Sequence, residues 1–169
     1  GANDGASGVG VILEMVRQLA LRKAKGEFIP TVQVVFFDCE DMGTPAHFTG
    51  SQRDHTWCLG SQYWAQQLKI QNSKFTINYG VLLDMVGDPS ATFPKEYFSM
   101  QYARGYVEQL WRTAQRLGYG RYFVQQATYY PITDDHYYVN TIAGIPCVDI
   151  IDYKTNTETG FAEWWHTQH

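Results

Sequence analysis

The chain has 169 residues, of which 44% are hydrophobic and 15% aromatic, which suits one domain with a real core and excludes a disordered polymer. Lys plus Arg number 13 against 17 Asp plus Glu, a net charge of −4 with no basic run, so the electrostatic footprint of a nucleic-acid partner is missing. No apolar run is long enough for a membrane-spanning segment, and Cys39, Cys58 and Cys147 are too scattered for a disulfide framework and read as free thiols.

The chain opens on Gly1 inside a motif and stops at His169, so it reads as an excerpt of a longer protein that lacks N-terminal strands and the C-terminal end. Gly1-Ala-Asn-Asp4-Gly-Ala-Ser7-Gly is a Gly-rich turn feeding a helix whose apolar positions Ile12, Leu13, Met15, Val16 and Leu19 recur at helical spacing from Val9 onward. Ser7 is its expected N-cap, Gly26 closes it and Pro30 bars its continuation. Asp4 therefore sits in a tight turn ahead of a helix, where it suits either backbone hydrogen bonding or a ligand role.

The run Val32-Gln-Val-Val-Phe-Phe reads as a buried strand and leads straight into Asp38, Cys39, Glu40 and Asp41. Open α/β sheets place their chemistry just beyond the carboxyl ends of strands. Adjacent carboxylates there can divide labour, one holding a metal and the other moving protons, or simply make a solvated turn. A long loop follows from Met42 to Cys58 with His47, His55 and Trp57, and loops of that length are uncommon unless functional or disordered. Residues 60–69 read as a short helix.

A second apolar strand, starting at Tyr79, contains Asp84, where a carboxylate is costly unless capped, paired or coordinated. Residues 97–118 show one helical periodicity, and the aromatic stretch from Tyr119 to Tyr130 reads as strand and loop. Thr133 is the expected N-cap of a short helix over 137–143, with Asp134 and Asp135 suited to the positive end of its dipole. The third apolar strand, 145–151, leads through a polar loop to Glu163-Trp164-Trp165-His166. Alternating helices and strands predict an α/β fold, a three-layer α/β/α sandwich with a mostly parallel central sheet, and residues 1–169 form a single domain.

Carboxylates and an imidazole at strand–loop junctions make a donor set that Zn²⁺ accepts, whereas Ca²⁺ would not need the His. No nucleophile-elbow pattern supports a Ser or Cys triad. A metal-assisted reaction on an amide is the chemistry these residues suggest.

Four ordered motifs carry a resemblance that spans essentially the whole chain. Gly1-Ala-Asn-Asp4-Gly-Ala-Ser, Val35-Phe-Phe-Asp-Cys-Glu40-Asp41, Leu82-Leu-Asp84-Met-Val-Gly and Trp165-His166-Thr167 resemble the zinc exopeptidase family, metallopeptidase family 28. That family includes leucyl-type aminopeptidases and glutaminyl cyclases. Within it the segments around Trp57, Asp84, Ile132-Thr-Asp-Asp-His136 and Glu163-Trp-Trp-His166 look more like a glutaminyl cyclase, of the bacterial branch related to the animal enzymes.

The resemblance implies zinc-dependent cyclisation of N-terminal glutamine to pyroglutamate with release of ammonia, on the N-termini of peptides or proteins. It implies one zinc ion held by Asp4, Asp41 and His166, with Glu40 as acid and base supported by Asp84 and Asp134, and a pocket lined by Trp57, Ile132 and Trp165. Animal cyclases carry Glu in place of Asp41 and Gln in place of Thr133, and the cyclase-type disulfide has no counterpart near Val9. A periplasmic or secreted location is expected from the resemblance alone. The rivals are a two-zinc aminopeptidase, in which Asp4 bridges both metals, and a non-catalytic domain of the same fold.

Overall fold

A computed structural model describes residues 2–44, 55–71, 76–154, 157 and 160–162. The expected α/β class is borne out, and the strands pair in parallel. Strand β1 (Gly80–Asp84) runs beside β4 (Cys147–Ile151) in the register Gly80 to Cys147 through Asp84 to Ile151. Strand β2 (Phe93–Lys95) runs beside β3 (Phe123–Ala127), with an irregular register between its ends. Among the described residues no helix is long and apolar enough to cross a membrane.

Helix α1 (Gly5–Ala24) begins earlier than its apolar spacing suggests. Its N-cap position is Asp4, not Ser7, because Ser7 lies in the first turn and turns its hydroxyl back to the Asn3 carbonyl. Gly8 lets the helix lie on β1, since any Cβ there would strike the Leu83 carbonyl oxygen. Gly26, at φ 81°, ends the helix as expected.

Residues 32–37, expected as the central strand, make no strand pairing among the described residues. Val32 and Phe36 remain exposed there. The apolar run is real, but a strand is defined by ladder bonds, and no described neighbour supplies them. Helix α2 (Leu59–Gln71) follows where the helix over 60–69 was expected.

The single helix expected over 97–118 is two, α3 (Tyr97–Tyr102) and α4 (Arg104–Arg116). Ala103 leaves helical geometry at φ −132°, and its carbonyl accepts from the amides of Tyr106 and Val107, starting a new helix. Around this break lies the core: Ala91, Phe93, Ala103, Val107, Trp111, Val148 and Ile150. The Trp111 indole N–H donates to the carbonyls of Phe93 (3.2 Å) and Val124 (2.9 Å), stitching β2 to β3. Trp111 is thus a packing residue, as its periodicity suggests.

The short helix near Thr133 starts instead at α5 (Asp135–Tyr138), and Asp134 is its N-cap, accepting from the Asp135 amide. Thr133 loses that role because Asp134 has the extended backbone a cap requires, with φ −146° and ψ 176°. The chain continues as a π-helical turn, Val139–Ala143. Asn140 braces this turn, donating to the carbonyls of His136 and Cys147, each at 2.9 Å, and accepting from the Cys147 amide. The same side chain thereby ties α5 to the start of β4.

Candidate active site

Three separate hydrogen-bonded junctions bring the acids of the sequence together. The first joins Asp4 to Asp84: Asn3 accepts from the Gly87 amide at 2.7 Å, and the Ser7 hydroxyl accepts from the Val86 amide at 3.0 Å. These bonds pin the turn after β1 to the start of α1. The second junction fixes Glu40. The amides of Cys58, Leu59 and Gly60 at the head of α2 donate to the carbonyls of Glu40, Cys39 and Asp38 at 2.9, 3.2 and 3.0 Å. The third is Glu96, whose carboxylate accepts from the Ile132 amide at 3.3 Å and holds the strand-like segment ahead of Asp134.

Left-handed backbone marks these junctions. Cys39, Cys58 and Met85 take φ values of 57°, 56° and 50°, although none is glycine. They stand beside Glu40, Trp57 and Asp84 respectively. Such conformations cost about 1–3 kcal/mol each and persist where the surroundings hold them, commonly at functional sites.

The electrostatics confirm that the carboxylates crowd one another. Burial, then the hydrogen bond and charge of Asp41, then Asp84 and Asp135, push Glu40 up to about 8. Burial and the charge of Asp4, with smaller contributions from Asp41 and Asp135 and an opposing Met85 amide, push Asp84 up to about 7. Asp134 is raised well above the usual range by burial, Asp84, Asp135 and Glu40. Burial also raises Asp135, against hydrogen bonds from Ser61 and Cys58 and the charge of His136. Asp4, Glu40, Asp41, Asp84 and Asp134 thus act on one another across four chain segments.

Cys58 is a neighbour that motif reading passed over. Its thiol lies 3.7 Å from Glu40 Oε1, and burial pushes its pKa far upward, so it donates a hydrogen bond as a neutral thiol. Glu40, Cys58 and Asp134 place atoms within 4.8 Å of one another. That trio sets a thiol between two carboxyls, groups able to hold and pass a proton.

Trp57 is half-buried and lies against Gly43, where any Cβ would overlap the indole. Its carbonyl accepts from the Gln62 side chain at 2.8 Å. Ile132 is also half-buried and lies two residues before Asp134. Trp165 and His166, expected in the pocket and on the metal, lie outside the described residues, as do His47, Glu163, Trp164 and Thr167. His55 is exposed, and its carbonyl accepts from the Gln62 side chain.

The chain matches peptidase family M28 over residues 1–169. It belongs to that family. No protein of curated function matches this M28 chain in sequence. Among solved structures, a Tannerella forsythia glutaminyl cyclase is 47% identical to it with a TM-score of 0.87, the match covering 100% of this chain and 55% of the cyclase. A Zn-dependent exopeptidase from Parabacteroides distasonis is 46% identical with a TM-score of 0.85, covering 99% of this chain and 55% of that one. A leucine aminopeptidase precursor from Bacteroides thetaiotaomicron is 38% identical with a TM-score of 0.85, covering 100% and 54%. The M28 chain therefore spans about half the length of the solved chains it resembles.

Proposed function

We propose that the protein to which this chain belongs is a zinc-dependent glutaminyl cyclase acting on peptide or protein N-termini. One observation carries the reading. A carboxyl poised near neutrality, Glu40, lies among further raised carboxyls, in an M28 chain 47% identical to a glutaminyl cyclase.

The donor set suits zinc on physical grounds. Asp4 and Asp41 both act on Asp84, and Asp41 is bonded to Glu40, so a cation would relieve the repulsion that raises these groups. Asp4, Asp41 and His166 are the residues proposed to hold one ion, which would supply Lewis acidity at the γ-carboxamide oxygen. Glu40 accepts the proton lost by the substrate's α-amine. The α-amine nitrogen bonds to the side-chain amide carbon, Cδ, the bond from Cδ to its NH₂ breaks, and Glu40 returns the proton so that ammonia leaves. Asp84 and Asp134 accept hydrogen bonds from the amide NH₂ and orient it. Trp57, Ile132 and Trp165 wall the pocket and keep the reacting side chain away from water, as narrow aromatic pockets do. Since the nucleophile belongs to the substrate, orientation is a large part of what the protein provides.

The test is ammonia release from Gln-Xaa peptides by the full-length protein, alongside its zinc stoichiometry. The expected result is rapid ammonia release, little cleavage of a Leu-amide substrate and one zinc ion per chain. Efficient Leu-amide hydrolysis with two tightly bound zinc ions would instead establish the aminopeptidase. A periplasmic or secreted location is proposed on the family resemblance alone, and cell fractionation checks it.

A further inference from the structure

A second polar cluster lies next to Asp134, wholly inside the protein. Glu96, Ser99, His136 and Asp149 are each 0% exposed, and Asp149 stands in the middle of β4 with apolar residues on either side. Glu96 is the best satisfied of them. Its Oε1 accepts from the amides of Phe98 (2.9 Å) and Ile132 (3.3 Å), and its Oε2 from the Ser99 amide (2.7 Å) and hydroxyl (2.9 Å). Burial pushes this carboxyl up, but His136 and the donated amides outweigh it and hold Glu96 below the usual range.

His136 Nε2 lies 2.9 Å from the same Glu96 oxygen. An ionised carboxylate only accepts, so Nε2 must carry the hydrogen. The other ring nitrogen, Nδ1, lies 3.5 Å from Asp149 Oδ2. Nδ1, both Asp149 oxygens and Asp134 Oδ2 are buried without a hydrogen-bond partner among the described residues. Atoms of Asp134, His136 and Asp149 also come within 4.8 Å of one another. Buried polar atoms left unpaired are expensive, and two such carboxylates cannot both stay ionised at that separation. A single proton held between Nδ1 and Asp149 Oδ2 pairs those two atoms and cancels one of the two facing charges.

We propose that Glu96, His136 and Asp149 form a buried proton-holding chain that sets the charge Asp134 presents to the substrate. Glu96 fixes the imidazole orientation and tautomer. His136 Nδ1 and Asp149 share one proton, which cancels the Asp149 charge beside Asp134. Asp134 thereby meets one negative neighbour fewer and serves as an acceptor for the amide NH₂. All three are positioning residues that act through Asp134, and their role in turnover rests on the cyclase reading.

The surroundings leave His136 no substitute. Glu96 faces it from the head of α3, Asp149 from β4, and Asp134 and Asp135 from the head of its own helix, with Tyr137 and Tyr138 following, while Cys147 of β4 lies near Asp149, Asp134 and Asp135. Asp84 of β1, Glu40 and Cys58 act on the same group of acids. Burial keeps both thiols protonated, so every charged member of this set other than His136 is an anion.

The experiment is the pH profile of ammonia release by the full-length, zinc-loaded protein and two variants, each checked for retained fold by circular dichroism. His136→Gln removes the positive partner, so the acid limb should move up by about one pH unit or more. Asp149→Asn removes a negative neighbour, so the limb should move down by about as much. A purely structural role would lower the rate in both variants with the limb unmoved, and that result overturns the proposal. Nitrogen-15 spectra of labelled histidine, assigned through His136→Gln, should show the hydrogen fixed on Nε2 from about pH 5 to 9. A bare Nε2, or a metal ion beyond the zinc that is lost in His136→Gln, also overturns it. Should the wild type release no ammonia from Gln-peptides, the cyclase reading fails, while the histidine spectra still decide whether the chain exists.

Discussion

Strand β4 and the helix α1 with the stretch behind it are built from similar apolar residues, yet in this chain, about half the length of its solved relatives, β4 is covered and the apolar side of α1 is not. Every residue of β4 is buried, Asp149 included. On α1, Leu13 is 59% exposed and Met15 53%, and beyond it Phe28 is 90% exposed. Spacing of apolar residues states which face can be buried. Whether it is buried depends on a partner element, which local pattern does not report. Around β4 the same low dielectric that packs Val148 and Ile151 raises Asp134 and Asp149, so burial there becomes acid–base chemistry.

The largest effect expected in this contrast is on turnover. Glu40→Gln keeps the shape of the residue beside Asp41 and Cys58 but cannot move a proton. Ammonia release should fall by about a hundredfold or more, with fold and zinc content retained. Near-normal rates in that variant would remove Glu40 from the chemistry.

Next is the core itself. Trp111→Ala empties a fully buried indole site and leaves the Phe93 and Val124 carbonyls without their shared donor. Urea titration should show a loss of about 3–5 kcal/mol.

A smaller, pH-dependent effect follows from the raised carboxyls. Asp134 and Asp149 have folded pKa values above the unfolded value of about 3.9, so below that value they contribute their full stability. As pH rises the unfolded chain ionises first, and this contribution is lost up through the folded values. Glu96 has the opposite shift, and its contribution is complete once pH is above its ordinary unfolded value. The metal-free chain should therefore show a lower urea midpoint at pH 8 than at pH 5. An equal or higher midpoint at pH 8 would mean that Asp134 and Asp149 are already ionised together.

The smallest effect belongs to α1. Leu13→Ala should change the stability of this chain by no more than about 0.5 kcal/mol, because its side chain leaves little water behind on folding. A loss of several kcal/mol would break the contrast and show that the apolar side of α1 is covered in solution.

Much of the site was legible because a carboxylate inside an apolar run is costly and therefore informative. Asp84 was read that way, and the structure sets it at the end of β1 among other acids. Asp149 carries the same signal in 145–151 and went unremarked, since motif reading attended to the strand's apolar side chains. Cys58 and Glu96 had no such mark; a buried thiol and an N-cap acid look ordinary until the chain closes around them. The division at Ala103 was also hidden, because Ala is a strong helix former and tertiary packing overrode its preference. Thr133 lost the cap to Asp134 by one position, within the uncertainty of any helix boundary.

The left-handed residues Cys39, Cys58 and Met85 carry a consequence for anyone redesigning this domain. A procedure that rewards local backbone preference would exchange all three for glycine, and each exchange should relieve on the order of 1 kcal/mol of strain. The unfolded chain would gain freedom at the same points, offsetting part of that relief. Glu40, Trp57 and Asp84 would then hang on hinges where they now hang on stiff corners. A variant improved in thermal tolerance by such changes should bind its substrate in a looser geometry and turn it over more slowly, the familiar exchange between robustness and activity.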